Sequence, residues 1–160
     1  DWIISTLRAS IVEMRRILRA LKPVNLQKMG LVDAIRKIAE DYTYNCGIPV
    51  LLQTSDGITS LGQKAESVLY RAVNESLNNA RKHSGASSVK VSLQADSSEF
   101  VLTVEDNGRG FSSSEASQKH GLGLSGLRDS VAAAGGEFEL VSAPQNGTRV
   151  SVRFPVRGVT

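Results

Sequence analysis

The chain has 160 residues, 41% hydrophobic, 22% charged and only 5% aromatic, with a net charge of +3. That apolar fraction suffices for one domain with a proper core, and the mild basic excess suits a polyanionic ligand such as a nucleotide. The scarcity of aromatics argues against a base-stacking sheet, the single Cys46 excludes an internal disulfide or a cysteine metal site, and no apolar run reaches membrane-spanning length.

Cys46 reads as small packing filler in a reducing compartment, and no signal peptide is visible. The pattern is already helical at Asp1, which is not a starting Met, so the sequence reads as a piece of something longer. Ile4, Leu7, Ile11, Met14, Leu18 and Leu21 recur at alternating three- and four-residue steps, the seam of a helix that packs on another helix. Pro23 ends it. Leu26 to about Tyr44 forms a second helix, with Leu31, Ile35, Ile38 and Tyr42 on one side, broken by Gly47 and Pro49. A short strand over 50–54 and a turn at Ser55-Asp56-Gly57 follow.

Leu61 to His83 reads as one long amphipathic helix closed by Gly85. One apolar row holds Leu69, Val73, Leu77 and Ala80. A second begins as Leu61, Ala65, Val68 and Ala72 but continues as Glu75, Asn79 and Lys82. Burying such groups without partners costs several kcal/mol, so the row points to a polar pocket under this helix or to a helix end turned to water.

Two strands follow, one with Val89, Val91, Leu93 and Ala95, the next with Phe100, Leu102 and Val104, joined by a turn at Asp96-Ser97-Ser98. Asp106 shares the parity of the second set, so it faces the covered side of the sheet where the strand ends and needs a hydrogen-bond donor there. Asn107 to Gln118 is a Gly- and Ser-rich loop. Gly121-Leu122-Gly123-Leu124 leads into a helix through Leu127, Val131 and Ala134, stopped by Gly135-Gly136. Helix N-terminal amides without a Cβ in the way can cradle a phosphate. Strands around 138–141 and 148–154 complete the chain, with the hairpin turn at Asn146-Gly147.

The order and spacing of four of these stretches resemble the Bergerat (GHKL) ATPases. Glu75-Ser-Leu-Asn-Asn79-Ala-Arg-Lys82-His83 resembles their N box, Asp106-Asn-Gly-Arg-Gly110-Phe their G1 box, Gly121-Leu-Gly123-Leu their G2 box, and Asn146-Gly147-Thr148 their last Gly-Thr element. Finer details, the LKP near Leu21, the MGLVDAI around Leu31, YRAVNESLNNARKHSGA and the GLSGLRD after the G2 box, resemble the ATP-binding domain of bacterial sensor histidine kinases of the NarL/DesK type. The likeness covers about residues 20 to 155.

This resemblance implies an α/β two-layer sandwich, with a mixed, largely antiparallel sheet covered on one face by helices and an N-terminal helix projecting from it. Residues 1–22 would be the second helix of a truncated dimerisation hairpin, and 23–160 the ATP-binding catalytic domain. Asn79 would ligate Mg²⁺ on the phosphates of ATP, and Glu75 would be the N-box acid. Lys82 would offset phosphate charge, helped by Arg81 or His83. Asp106 would read adenine, Gly108 and Gly110 would be the close-approach glycines, and Gly121, Leu122, Gly123 and Leu124 would bring backbone amides to the phosphates. Thr148 would act near the adenine with a water, and Ser112 to Lys119 would form the ATP lid. His83 sits inside the N box and His120 in the lid, so neither is the phospho-acceptor. That His would lie on the missing hairpin helix.

The implied activity is phosphoryl transfer from ATP–Mg²⁺ to that His, then to a response regulator with a NarL/LuxR-type output domain. The full-length protein would be a homodimer whose cytoplasmic kinase domain allows a membrane anchor elsewhere, with no direct nucleic-acid binding. The rivals are another ATPase of the superfamily, such as an anti-sigma-factor serine kinase, and a degenerate module kept for dimerisation or docking.

Overall fold

The computed structural model describes residues 26–55, 58, 61–112 and 122–156. The heptad seam before Pro23, residues 113–121 (most of the expected lid) and the turn at Asp56-Gly57 lie outside them.

A five-stranded sheet carries the domain: β1 (Val50–Thr54), β2 (Val89–Ala95), β3 (Glu99–Asp106), β4 (Glu137–Ser142) and β5 (Thr148–Pro155). Its order is β1-β2-β3-β5-β4. β1 runs parallel to β2 and the remaining pairs are antiparallel, the mixed and largely antiparallel sheet expected.

The second sequence helix is two pieces, α1 (Leu26–Met29) and α2 (Leu31–Cys46), because Gly30 at φ +81° breaks the helical path. Gly47 closes α2 in the left-handed conformation, its N–H donating to the Thr43 carbonyl. α3 (Gln63–Asn79) does not run unchanged to His83. Its last turn widens into a π-helical segment, Ala80–Ser84, before Gly85 ends it at φ +63°. Such widened turns recur at functional sites because they re-aim side chains. α4 (Leu122–Ala133) completes the helical layer.

The core follows the apolar periodicities. Leu69, Val73 and Leu77 of α3 are buried against Val91, Leu93, Leu102, Val104 and Val152 of the sheet. Ile35 from α2 and Leu127 and Val131 from α4 close it on either side, so α3 is wedged between two helices and the sheet. Removing a side chain from such a site costs about 2–5 kcal/mol. Behind α3, Tyr42 is buried and its hydroxyl has no hydrogen-bond partner among the described residues; burial first, then Cys46, pushes its phenol up to about 12, so it stays neutral.

Two left-handed glycines separate backbone freedom from close packing. A Cβ on Gly147, at φ +68°, would stand 1.9 Å from the Asp106 carbonyl oxygen, whereas one on Gly85, at φ +63°, would meet nothing within 4 Å. Gly85→Ala should therefore cost only the conformational penalty, about 1 kcal/mol. Gly147→Ala should cost about 3 kcal/mol or more, because the β3–β5 junction must open. Urea melts of the two variants beside the parent check this; equal losses would mean the contact at Gly147 does not constrain the fold.

Candidate nucleotide site

Strand register builds the floor of the site. Val89, Asp106, Thr148 and Ser142 stand opposite one another across β2, β3, β5 and β4, and Val91, Val104, Val150 and Leu140 form the next row on the same face. The buried row is apolar; the row at the strand ends is partly polar. α3 and its π segment lie over both. A hollow of about 480 Å³, counting the space at its mouth, opens between them, lined by Val89, Val104 and Val150 below, Asn79, His83 and Ser84 above, and Phe111 and Leu124 at the rim.

Asp106 is half-buried at the centre. Burial pushes its carboxyl above the usual carboxylate range, opposed by the Gly108 N–H, which donates to Oδ1 at 2.8 Å, and by the Ser84 and Thr148 hydroxyls. The Ser84 hydroxyl also lies 2.7 Å from the Ala80 carbonyl, and its one hydrogen serves one acceptor at a time. The Ala86 N–H donates to Ser84 Oγ at 3.0 Å, and Arg109 N–H donates to the Ser84 carbonyl at 2.8 Å. Ser84 thus ties the end of the π segment to the loop after β3. Ser142 makes a second tie, accepting from Phe111 N–H at 3.0 Å and donating to the Gly147 carbonyl at 2.9 Å, with its Oγ 3.2 Å from Thr148 Oγ1.

Of the residues singled out in the sequence, Asn79, His83, Asp106, Gly110, Leu124 and Thr148 converge on this one hollow. Glu75 stands a turn before Asn79, partly exposed and outside the lining, and Lys82 is exposed on the π segment. Gly121 lies outside the described residues, and Leu122 and Gly123 form the first turn of α4. The two G1-box glycines are close-approach positions within the protein itself. A Cβ at Gly108 would lie 2.5 Å from the Ser84 Cβ, and one at Gly110, with φ +60°, 2.0 Å from the Ala143 carbonyl oxygen.

Sequence reasoning missed Ser76, Ser84 and Ser142. Ser76 had a signal: it lies four residues after Ala72, so the buried row continues through it and Ala80 rather than through Glu75. Ser84 and Ser142 had none, since their roles depend on contacts far away in the chain.

The chemistry of the hollow is legible. Valine side chains and Leu124 can cover the faces of a flat ring, while Asp106 supplies an acceptor at its edge. Protein ligands for a metal are few here. Among the described residues no cluster of three His, Cys, Asp or Glu could hold an ion alone. The amide oxygen of Asn79, beside ligand oxygens and waters, suits Mg²⁺.

Comparisons with known proteins agree with this architecture. The chain is similar to the sensor histidine kinase YhcY of Bacillus subtilis, 32% identical over 157 residues, covering 98% of this chain and 40% of that protein. It is 30% identical over 150 residues to the signal transduction histidine-protein kinase/phosphatase DegS of Brevibacillus brevis, covering 93% of this chain and 38% of that protein. The chain thus spans about 40% of the length of these relatives. The solved structure of the histidine kinase AdeS of Acinetobacter baumannii superposes with a TM-score of 0.68 over 99% of this chain and 86% of that one, and at 16% identity it attests the shared fold. Residues 64–158, more than half of the chain, match the family model of the histidine kinase-, DNA gyrase B- and HSP90-like ATPases, and the chain is a member of that family.

Proposed function

We propose that this chain is the ATP-binding catalytic part of a two-component sensor histidine kinase, and that Asp106 and Asn79 divide recognition of ATP–Mg²⁺ between them. The carrying observation is the convergence of Asp106, Asn79, Thr148 and Leu124 on one hollow from two strands and two helices. Asp106 accepts from the exocyclic amine of adenine with its oxygen not already taken by Gly108 N–H. Thr148, opposite it on β5, supplies a hydroxyl beside the same edge. Val89, Val104, Val150 and Leu124 cover the ring and exclude water, which strengthens the polar contacts at its rim.

Asn79 lies on the π-segment side of the hollow, where it would hold Mg²⁺ together with phosphate oxygens. The ion would neutralise charge on the phosphates. α4 begins beside the hollow, with Leu124 in its lining, so its first-turn amides face an anionic group there. Glu75, one turn before Asn79, would order water around the phosphates. Because the transferred phosphoryl needs little covalent help, positioning and charge neutralisation by these groups supply most of the catalysis. The acceptor His would be on a dimerisation helix of the homodimeric full-length protein, and the phosphate would pass from there to a response regulator with a NarL/LuxR-type output domain. No described helix is long and apolar enough to cross a membrane.

Asp106→Asn tests adenine reading. Gly108 N–H donates to one carboxylate oxygen, and the Ser84 and Thr148 hydroxyls also bond to the carboxylate, so both oxygens are needed to add the ligand's amine; an amide has one oxygen and must give up a role. Titration with a fluorescent ATP analogue should show affinity falling at least about tenfold, and unchanged affinity would overturn the assignment. Asn79→Ala should abolish the Mg²⁺ dependence of that binding; an unaltered Mg²⁺ response would remove Asn79 as the metal's ligand.

A pH series gives a third check. Because burial raises the folded-state pKa of Asp106 above its unfolded value, its charge weakens the empty domain above that raised pKa, and acidification removes the penalty. Empty Asp106→Asn should melt at least as high as the parent at neutral pH, the two converging below the ordinary Asp range. ATP affinity of the parent should move the opposite way, weakening on acidification before an ordinary carboxylate would protonate. A lower neutral-pH melting point for Asp106→Asn would contradict the desolvation account.

A further inference from the structure

Ser76 is about nine-tenths buried, lines the hollow, and its hydroxyl has no hydrogen-bond partner among the described residues. Three other helical hydroxyls behave differently. Thr43, Ser84 and Ser130 each donate to the carbonyl four residues back, at 2.9, 2.7 and 2.7 Å. That local bond is the usual resting place for a buried helical hydroxyl. Ser76 forgoes it with Ala72, although leaving a buried hydroxyl unpaired is unfavourable. An orphaned donor facing a hollow that also holds Asp106 and Thr148 awaits a ligand acceptor.

The side of the purine follows from the arrangement of the elements. Asp106 takes the 6-amino group, which is flanked by two ring acceptors, N1 and N7. Thr148 reaches the site from the sheet, and Ser76 reaches it from α3, the helix that carries Asn79 one turn further on. In an anti nucleotide the 5′-phosphates lie on the N7 side of the base, and Asn79 marks the phosphate side of the hollow. Resting on the ATP reading above, we infer that Ser76 is a base-specificity residue whose hydroxyl donates, directly or through one ordered water, to purine N7. Thr148 is left to the N1 flank. Asp106 and Ser76 together then read two neighbouring atoms of one edge.

Ligand and protein can be cut separately. Affinities of Mg²⁺-ATP, 7-deaza-ATP and 1-deaza-ATP are measured by calorimetry on the full chain and on Ser76→Ala, with Asp106→Asn as the reference for loss of base reading. The parent should bind 7-deaza-ATP about five- to tenfold more weakly than ATP, the worth of one ordinary hydrogen bond. Ser76→Ala should lose the same factor on ATP and nothing more on 7-deaza-ATP, while its melting point without ligand stays equal or rises. Additive losses, parent-like ATP affinity in Ser76→Ala, or coupling to 1-deaza-ATP in place of 7-deaza-ATP would each overturn the inference. Failure of the parent to bind ATP, or equal binding by Asp106→Asn, would instead bring down the ATP reading on which it rests.

Discussion

A carboxylate held at the open end of an otherwise apolar strand row is the constraint around which this domain is arranged. Phe100, Leu102 and Val104 are buried, and Asp106 follows in the same register and on the same face. Burial disfavours its charge, and the surrounding donors partly restore it. The close packing nearby protects that balance. Gly108 lies against Ser84, and Gly147 packs onto the carbonyl of Asp106 itself, both at distances no side chain tolerates. The carboxylate is therefore fixed in position before any ligand arrives, and preorganisation of this kind lowers the cost of binding.

Much of this was legible before any coordinates. Alternation with a period of two placed Asp106 on the covered face, because a strand cannot turn one residue over without turning them all. The apolar steps of Leu69, Val73 and Leu77 identified the wedged helix, and β1 over Val50–Thr54 matched the expected 50–54. These features depend on local geometry alone. The mixed sheet was legible only through the resemblance, since strand order is set by contacts between residues distant in the chain.

What was illegible had a shared cause. Ala80–Ser84 reads as helix in any periodicity, yet its widening answers to the tie from Ser84 to Arg109 and Asp106, twenty and more residues away. Ser76, Asn79, Ala80, His83 and Ser84 all line the hollow, at the i, i+3, i+4, i+7 and i+8 spacing of one helix face. The same limit explains Glu75. Its place in the polar sequence row suggested the lining, but the buried row runs through Ser76, and Glu75 remains at the edge.

Charge is distributed in a way that the modest net total conceals. Arg149 pairs with Glu105 and Arg153 with Glu139 across neighbouring strands, leaving these charges locally compensated. Arg81 and Lys82 occupy the end of the long helix, where cations complement the exposed carbonyls. No Lys or Arg appears among the described residues lining the hollow, whose only ionisable side chains are His83 and Asp106. Among these lining residues a triphosphate would meet dipoles and an amide rather than a fixed cation. On the proposed ATP–Mg²⁺ reading, that lining would suit a group that must leave: a buried arginine clamp would hold substrate and product phosphates alike, whereas an ion bound with the nucleotide would stabilise transferring charge without trapping the product.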